Sequence, residues 1–205
     1  FSFKEAFDYL TMLGKNPNPD SLIIDYISWG GLPLRFSFEQ ENDIRNYLEQ
    51  TYNGIVDKDI VTEKSKFNKE KFLRFASYVM ANAGKEFSGK NIENYFKSEN
   101  DEDFEKKMIY RYLDKMEKAC LINRVKRFNV VGKRVLSYIE KQYVVDSGFR
   151  MINTNLVNFE DTFFLENIIY NELILRGYQV FTGKTYKSEI DFVAINGKQK
   201  CFIQV

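Results

Sequence analysis

Residues 188–205 read SEIDFVAINGKQKCFIQV and decide the fold of the second half of the chain. Apolar and polar residues alternate over residues 188–195, which is the period of a half-buried strand. Asn196-Gly197 follows at once, and this dipeptide is typical of a type I′ turn between two antiparallel strands. We therefore predict a β-hairpin whose second strand covers residues 200–205.

A two-residue turn fixes the register of this hairpin, because the residue pairs are counted back from the turn. The count predicts Asp191 opposite Phe202 and Glu189 opposite Gln204. Residues that oppose one another share a face, so Glu189, Asp191 and Gln204 project from the same side. We expect Asp191 and Gln204 to be diagonal neighbours within reach of a common ligand.

A helix and a first strand precede the hairpin. Apolar residues recur at helical spacing from Phe163 to Ile174, with Asn158 as the predicted N-cap and Gly177 after the helix. Glu166 lies inside this apolar helix. A strand at residues 178–181 and a loop around Gly183 come next, which gives the order α-β-β-β.

This order resembles the PD-(D/E)xK nuclease-like superfamily. Glu166 matches the acid on the helix, Asp191 matches the acid on the second strand, and Gln204 matches the Glu or Gln position of the third strand. The Lys of the motif corresponds to position 206, beyond this sequence. The resemblance implies that Asp191 is the central Mg²⁺ ligand, that Gln204 supplies an amide oxygen, with the carbonyl of Val205 as a further ligand, and that Glu166 binds a metal-linked water. Such sites hydrolyse phosphodiester bonds.

The residues alone leave a structural alternative open. Asp191 and Glu166 can instead form ion pairs with Lys184, Lys187 or Arg176 and hold the edge of the sheet together. An Asp that faces a Gln beside an acid-bearing helix favours the metal site. Glu189 is the auxiliary acid of that site.

Composition limits the class of protein. The 205 residues are 44% hydrophobic and 16% aromatic, which is enough core material for a globular chain. The absence of His excludes a histidine base and histidine zinc ligands, and the net charge of +1 allows only a local basic patch. Cys120 and Cys201 match no zinc or redox spacing, and we expect buried thiols in the reducing cytoplasm. No apolar run approaches the roughly 20 residues that span a bilayer, so we expect no membrane contact.

The middle of the chain, from Phe67 to Tyr138, predicts a winged helix. A helix that ends near Gly84, a short helix capped by Ser88 and a third helix over residues 103–119 precede a β-hairpin. Basic residues occur on one stripe of the third helix and on the wing, where they could neutralise DNA phosphates. These candidates are Lys107, Arg111, Lys115, Lys118, Lys126, Arg127, Lys133 and Arg134. A solvated helix face and a protein-docking module are the alternatives.

Further segments extend the resemblance to one family. The chain resembles the C-terminal part of a prokaryotic AAA-type ATPase family of uncharacterised function. The resemblance lies in residues 2–5, 29–33 and 143–148, with the helix and strand around Glu166 and Asp191. In that family a helical lid, a winged helix and a nuclease-like domain follow the nucleotide-binding core. No G-x-x-x-x-G-K-[ST] loop occurs here, so ATP would bind only to an upstream domain in cis.

Together these observations predict an α+β fold, with a mostly helical N-terminal part that includes a winged helix, and a truncated α-β-β-β core like that of restriction endonucleases. The expected domains are a lid-like segment (1–58), the winged helix (59–139) and the nuclease-like core (140–205). The expected function is a nucleic-acid-associated module of an ATPase, in which the winged helix binds DNA beside an Mg²⁺-dependent core that is either active or a relic. The alternative is a non-enzymatic regulatory module that binds a protein partner.

Overall fold

The structure is a computed structural model that describes residues 1–61, 67–99, 101, 104–132, 134–154, 162–186 and 188–205. The fold is α+β, as predicted, and these residues form eight α-helices and one six-stranded sheet. The helices are α1 (Phe3–Met12), α2 (Pro19–Trp29), α3 (Glu41–Ile55), α4 (Lys69–Ala81), α5 (Gly89–Ser98), α6 (Lys106–Lys118), α7 (Ser147–Asn153) and α8 (Thr162–Leu175). The strands are β1 (Glu86–Phe87), β2 (Ile122–Asn129), β3 (Arg134–Val144), β4 (Gln179–Lys184), β5 (Glu189–Asn196) and β6 (Gln199–Ile203).

Capping side chains set several helix starts. Ser2 and Glu5 form a capping box at α1, and Ser88 caps α5 as predicted. Asn18 caps α2, because its side chain accepts hydrogen bonds from the first turn, and Pro19 has a φ suited to the first helical position. The predicted N-cap of α8, Asn158, lies outside the described residues.

The elements from α4 to β3 have the order predicted for a winged helix. Three helices and the short strand β1 precede the hairpin of β2 and β3, and β1 pairs with β3 antiparallel. Their helices enclose a continuous aromatic core in which Phe75, Phe96, Phe104 and Tyr112 are almost wholly buried.

One sheet joins the winged helix to the C-terminal strands. The strand order is β1-β3-β2-β4-β5-β6, and β2 pairs parallel with β4 from Arg127 to Asn129. The domain boundary predicted between residues 139 and 140 falls inside β3. The two expected domains therefore share a sheet.

The register predicted for the β5–β6 hairpin is wrong by two residues. Asn196 remains in β5 opposite Gln199, and Val193 lies opposite Phe202. Gly197 is therefore the first loop residue, with φ of 57°, and Lys198 does not have a positive φ. A type I′ turn needs positive φ at both loop residues, so the turn is of another type.

The C-terminal core lies between α8 and the sheet. Tyr170 of α8 stacks on Tyr143 of β3 at a centroid distance of 4.5 Å, and Phe192 of β5 packs beside them. Two asparagines hold α8 to the end of β3. Asn167 exchanges hydrogen bonds with both backbone groups of Val144, and Asn171 donates to the same carbonyl.

The two cysteines differ from their prediction. Cys120 and Cys201 are free and exposed, so the expectation of buried thiols was wrong. Cys120 follows the end of α6, and Cys201 lies on the exposed edge strand β6. Among the described helices, none combines the length and the apolar character required to cross a bilayer.

Candidate functional site

Asp191 lies at an irregularity in β5. Phe181 pairs with Val193 and Gly183 pairs with Ile190, so β5 has one more residue than β4 between the two pairs. Such a β-bulge turns a side chain away from the face that strict alternation predicts. A Cβ added to Gly183 would lie 2.9 Å from atoms of both Ile190 and Val193, so these residues share a face although they are three apart.

The end of β6 comes directly to Asp191. The Asp191 Oδ2 atom accepts a hydrogen bond of 2.5 Å from the side-chain amide of Gln204 and one of 2.9 Å from the backbone N–H of Val205. The predicted proximity of Asp191 and Gln204 is therefore present, although they lie across from one another rather than on a diagonal. Asp191 and Gln204 are also partly open to solvent.

Glu166 is held by β3 and not by β5. Its Oε1 atom accepts hydrogen bonds from Tyr143 Oη at 2.5 Å and from Lys141 Nζ at 2.8 Å. The side chains of Glu166 and Lys141 are only 8% and 11% exposed, so this is a buried ion pair. Neither Lys141 nor Tyr143 was a sequence candidate, because the distance from β3 to α8 cannot be read from their spacing in the chain.

The environment of Tyr143 favours its neutral form, which can donate a hydrogen bond to Glu166. Burial raises the pKa of Tyr143 well above its ordinary value, and the negative charges of Glu166 and, more weakly, Asp191 raise it further. The Tyr143 hydroxyl therefore stays protonated at neutral pH and donates a hydrogen bond to Glu166.

The auxiliary acid Glu189 is also paired. Arg127 Nη2 lies 3.2 Å from Glu189 Oε1 and also contacts Glu86, while Lys184 lies 3.5 Å from the same Glu189 oxygen. The Arg127 side chain is only 5% exposed. Arg127 was predicted to contact DNA phosphates, and its burial between two acids corrects that expectation.

The residues around Asp191 fit part of the Mg²⁺ site that the nuclease resemblance implies. The Asp191 carboxylate is an oxygen donor of the kind that Mg²⁺ prefers, with water in other positions. Gln204 and Val205 direct N–H groups to Asp191, so the Gln204 amide must rotate before its oxygen can join Asp191 on a metal ion. Glu166 does not fit as a metal-facing acid, because its carboxylate is buried against Lys141. Within the described part of the chain, no three His, Cys, Asp or Glu side chains lie close enough together to hold a metal ion.

The ion pairs predicted as the structural alternative involve other partners. Arg176 pairs with Glu172 at 2.8 Å on α8, and Lys184 pairs with Glu189. Lys187 lies outside the described residues. Glu166 is in an ion pair, as that alternative expected, but its partner is Lys141.

The basic candidates divide into exposed and structural residues. Lys107, Arg111 and Lys118 on α6 and Lys126 and Arg134 on the wing are exposed. Lys115 is half-buried, because its Nζ donates to the carbonyl of Ile60 at 3.0 Å and lies 5.3 Å from the centroid of the Phe67 ring. Lys133 lies outside the described residues.

Arg124 neutralises the acids on the outer side of α6. Its guanidinium lies 2.6 Å from Asp114, 3.7 Å from Glu117 and 3.0 Å from Glu140. In the described part of the chain, Lys107, Arg111 and Lys118 form no ion pair. These three side chains of α6 are therefore available to an external anion.

Two of the segments that suggested the ATPase resemblance meet in space. Asp146 accepts hydrogen bonds from the backbone N–H groups of Gly31 at 2.8 Å and Gly148 at 2.9 Å. A side chain at Gly30 would collide with Asp146, and one at Gly148 would collide with the Trp29 carbonyl. The glycines are thus required by the close approach of α2 to α7. Burial raises the pKa of Asp146, although the two hydrogen bonds oppose this effect.

Two curated proteins of similar sequence carry no functional description. An uncharacterised protein of Haemophilus influenzae is 29% identical over 206 residues, which cover 100% of this chain and 50% of that protein. An uncharacterised protein of Methanocaldococcus jannaschii is 29% identical over 191 residues, which cover 88% of this chain and 41% of that protein. The chain therefore spans half or less of the length of these relatives. No solved structure matches it.

A family model described as a domain of unknown function, DUF8612, matches residues 20–160. The match covers more than half of the chain, from α2 to α7 and beyond. It includes the winged-helix elements and the contact between Gly31 and Asp146, and it ends before Glu166, Asp191 and Gln204. The chain belongs to the DUF8612 family.

Proposed function

We propose that this chain is a nucleic-acid-binding module in which α6 and the wing bind DNA phosphates. Lys107, Arg111 and Lys118 on the helix, with Lys126 and Arg134 on the wing, supply the positive charge. The observation that carries the proposal is the position of Arg124, because its pairing with Asp114 and Glu117 leaves the basic side chains of α6 without an acidic partner on that helix. Exposed Lys and Arg side chains gain affinity for DNA by releasing its counterions.

The site around Asp191 extends the proposal to phosphodiester chemistry. Asp191, Gln204 and the carbonyl of Val205 would hold an Mg²⁺ ion, which polarises a scissile phosphate when it is bound. β2 belongs to the wing and pairs with β4, which in turn pairs with β5. The wing and Asp191 therefore belong to the same sheet.

The segments that resemble the ATPase family support a role beside an upstream nucleotide-binding domain in the same polypeptide. In this reading the protein is cytoplasmic, and ATP binds outside this chain. Two observations support a role beside an upstream domain. Residues 29–31 pack on residues 146–148, and the two relatives are longer than this chain.

The experiment measures binding and Mg²⁺-dependent cleavage of single- and double-stranded DNA in the same samples. Wild type is compared with Asp191→Ala, with Asp8→Ala on α1 as a matched control and with added EDTA. Cleavage that is lost in Asp191→Ala and in EDTA, with binding intact, supports both parts of the proposal. Binding without cleavage in any sample would remove the phosphodiester part, and the absence of binding at every salt concentration would remove the whole proposal.

A second candidate is a non-enzymatic module that binds a protein partner. The observation that favours it is the buried pairing of Glu166 with Lys141 and Tyr143, because this acid stabilises the fold instead of facing Asp191. A partner that stays bound at high salt, while DNA is not retained, would support this function.

A further inference from the structure

The turn between β4 and β5 presents an aromatic ring to solvent. Tyr186 is 88% exposed, more than any other large hydrophobic residue described. Thr185 and Ser188, which lie on either side of it in the chain, exchange backbone and side-chain hydrogen bonds of 2.9 to 3.0 Å. A ring so exposed gains almost no burial free energy from folding, so the fold itself does not explain its position.

This turn lies against the wing. Asn129, the last residue of β2, pairs with Lys184, and the N–H of Val130 donates to the Lys184 carbonyl at 3.1 Å. A cavity of about 350 Å³ lies between the two segments, with Asn129 and Val131 on the wing side and Thr185 and Tyr186 on the other. The cavity therefore has an aromatic wall, an amide side chain and apolar groups.

Positive charge surrounds the cavity. Lys184 and the buried Arg127 line it, and the exposed Arg134 pairs with Asn129 at the start of β3. Glu189 and Glu86 offset part of this charge. Glu189 contacts both Arg127 and Lys184, and Glu86 also contacts Arg127.

We propose that this cavity binds an unpaired base of a nucleic-acid strand, which stacks on Tyr186 while its phosphates contact Lys184 and Arg134. The inference rests on the proposed function and adds a preference for single-stranded or locally unpaired DNA. An aromatic face accepts any base, and a nearby row of cations follows the backbone, as in proteins that bind single strands without sequence preference. Asn129 would hydrogen-bond the edge of the base.

The test compares wild type, Tyr186→Ala and Tyr186→Phe for binding to a fluorescent single-stranded oligonucleotide and to the matching duplex, over a series of salt concentrations. Tyr186→Ala should weaken single-strand binding about tenfold, since one stacked base contributes an effect of this order. Tyr186→Phe should bind as wild type because it keeps the ring. The salt dependence should not change, because no charge is removed.

Lys107→Ala on α6 separates this inference from the proposed function. If Lys107→Ala weakens duplex binding while Tyr186→Ala binds single strands as tightly as wild type, the base-stacking site is refuted and the DNA-binding function stands. If wild type binds neither oligonucleotide, both fail together. An equal loss of duplex and single-strand binding in Tyr186→Ala would also contradict a site for an unpaired base.

Discussion

Glu166 accepts hydrogen bonds from Lys141 and Tyr143 on a single oxygen, in a site that water scarcely reaches. Removing one partner from a buried ion pair leaves the other charge buried without compensation, and this costs more free energy than the pair contributes. The stability of the C-terminal core should therefore depend on Glu166, whatever its part in chemistry.

Glu166→Ala should lower the free energy of unfolding by about 3 kcal/mol, because Lys141 remains buried without its partner. Urea denaturation at neutral pH measures this loss. The matched control is Glu172→Ala on the same helix, where the ion pair with the 67% exposed Arg176 is a surface pair and should cost less than about 1 kcal/mol. Similar small losses in both variants would show that Glu166 is not structural.

Tyr143 should make stability depend on alkaline pH. Its pKa in the folded chain lies above the ordinary value of 10, so above pH 10 the unfolded chain releases this proton while the folded chain keeps it. Stability from Tyr143 is therefore fully present below pH 10 and is lost as the pH rises, by about 1.4 kcal/mol per pH unit.

The variant Tyr143→Phe tests this dependence by urea denaturation at several pH values. It should be less stable than wild type at pH 8, because Glu166 loses a hydrogen bond, and the difference should shrink above pH 10. A constant difference across this range would contradict the raised pKa.

At the scale of helices and strands, local signals were sufficient to predict the order of three helices and a hairpin from α4 to β3. Ser88 caps α5 as predicted, and α6 (Lys106–Lys118) lies within the helix predicted over residues 103–119. The register of β5 and β6 was not predictable in the same way. Asn196 stays in the strand and the turn begins at Gly197, and the bulge at Asp191 depends on how β5 pairs with β4. Both features are decided by cross-strand packing, which the local sequence does not contain.

Of the two asparagines that join α8 to β3, Asn167 should contribute more to the free energy of unfolding. It is 2% exposed and satisfies both the N–H and the carbonyl of Val144, whose carbonyl also accepts from Asn171. Asn167→Ala leaves the buried N–H unpaired and should cost about 2 kcal/mol. Asn171→Ala should cost less, since Asn167 still binds that carbonyl. Urea denaturation of both variants checks the order, and a larger loss in Asn171→Ala would contradict it.

Across the whole molecule, the single sheet decides which of the basic candidates for DNA contact are exposed and which are buried. Charge and spacing identified Lys107, Arg111 and Lys118 correctly as exposed, because helical periodicity separates the inner and outer sides of α6. The same reasoning failed for Arg127, which is buried because β2 continues into a sheet with β4 and β5. Long-range pairing of this kind joins residues about 60 positions apart and leaves no local signal.

The measurement that tests the central claim most directly is the salt dependence of duplex DNA binding by wild type and by the double variant Lys107→Ala/Arg111→Ala. Lys15→Ala, an exposed lysine outside the winged helix, is the control for loss of charge. If α6 binds phosphates, the slope of log affinity against log salt should decrease in magnitude by about 2 in the double variant and stay unchanged in Lys15→Ala. An unchanged slope in the double variant, or no DNA binding by wild type at low salt, would contradict the account.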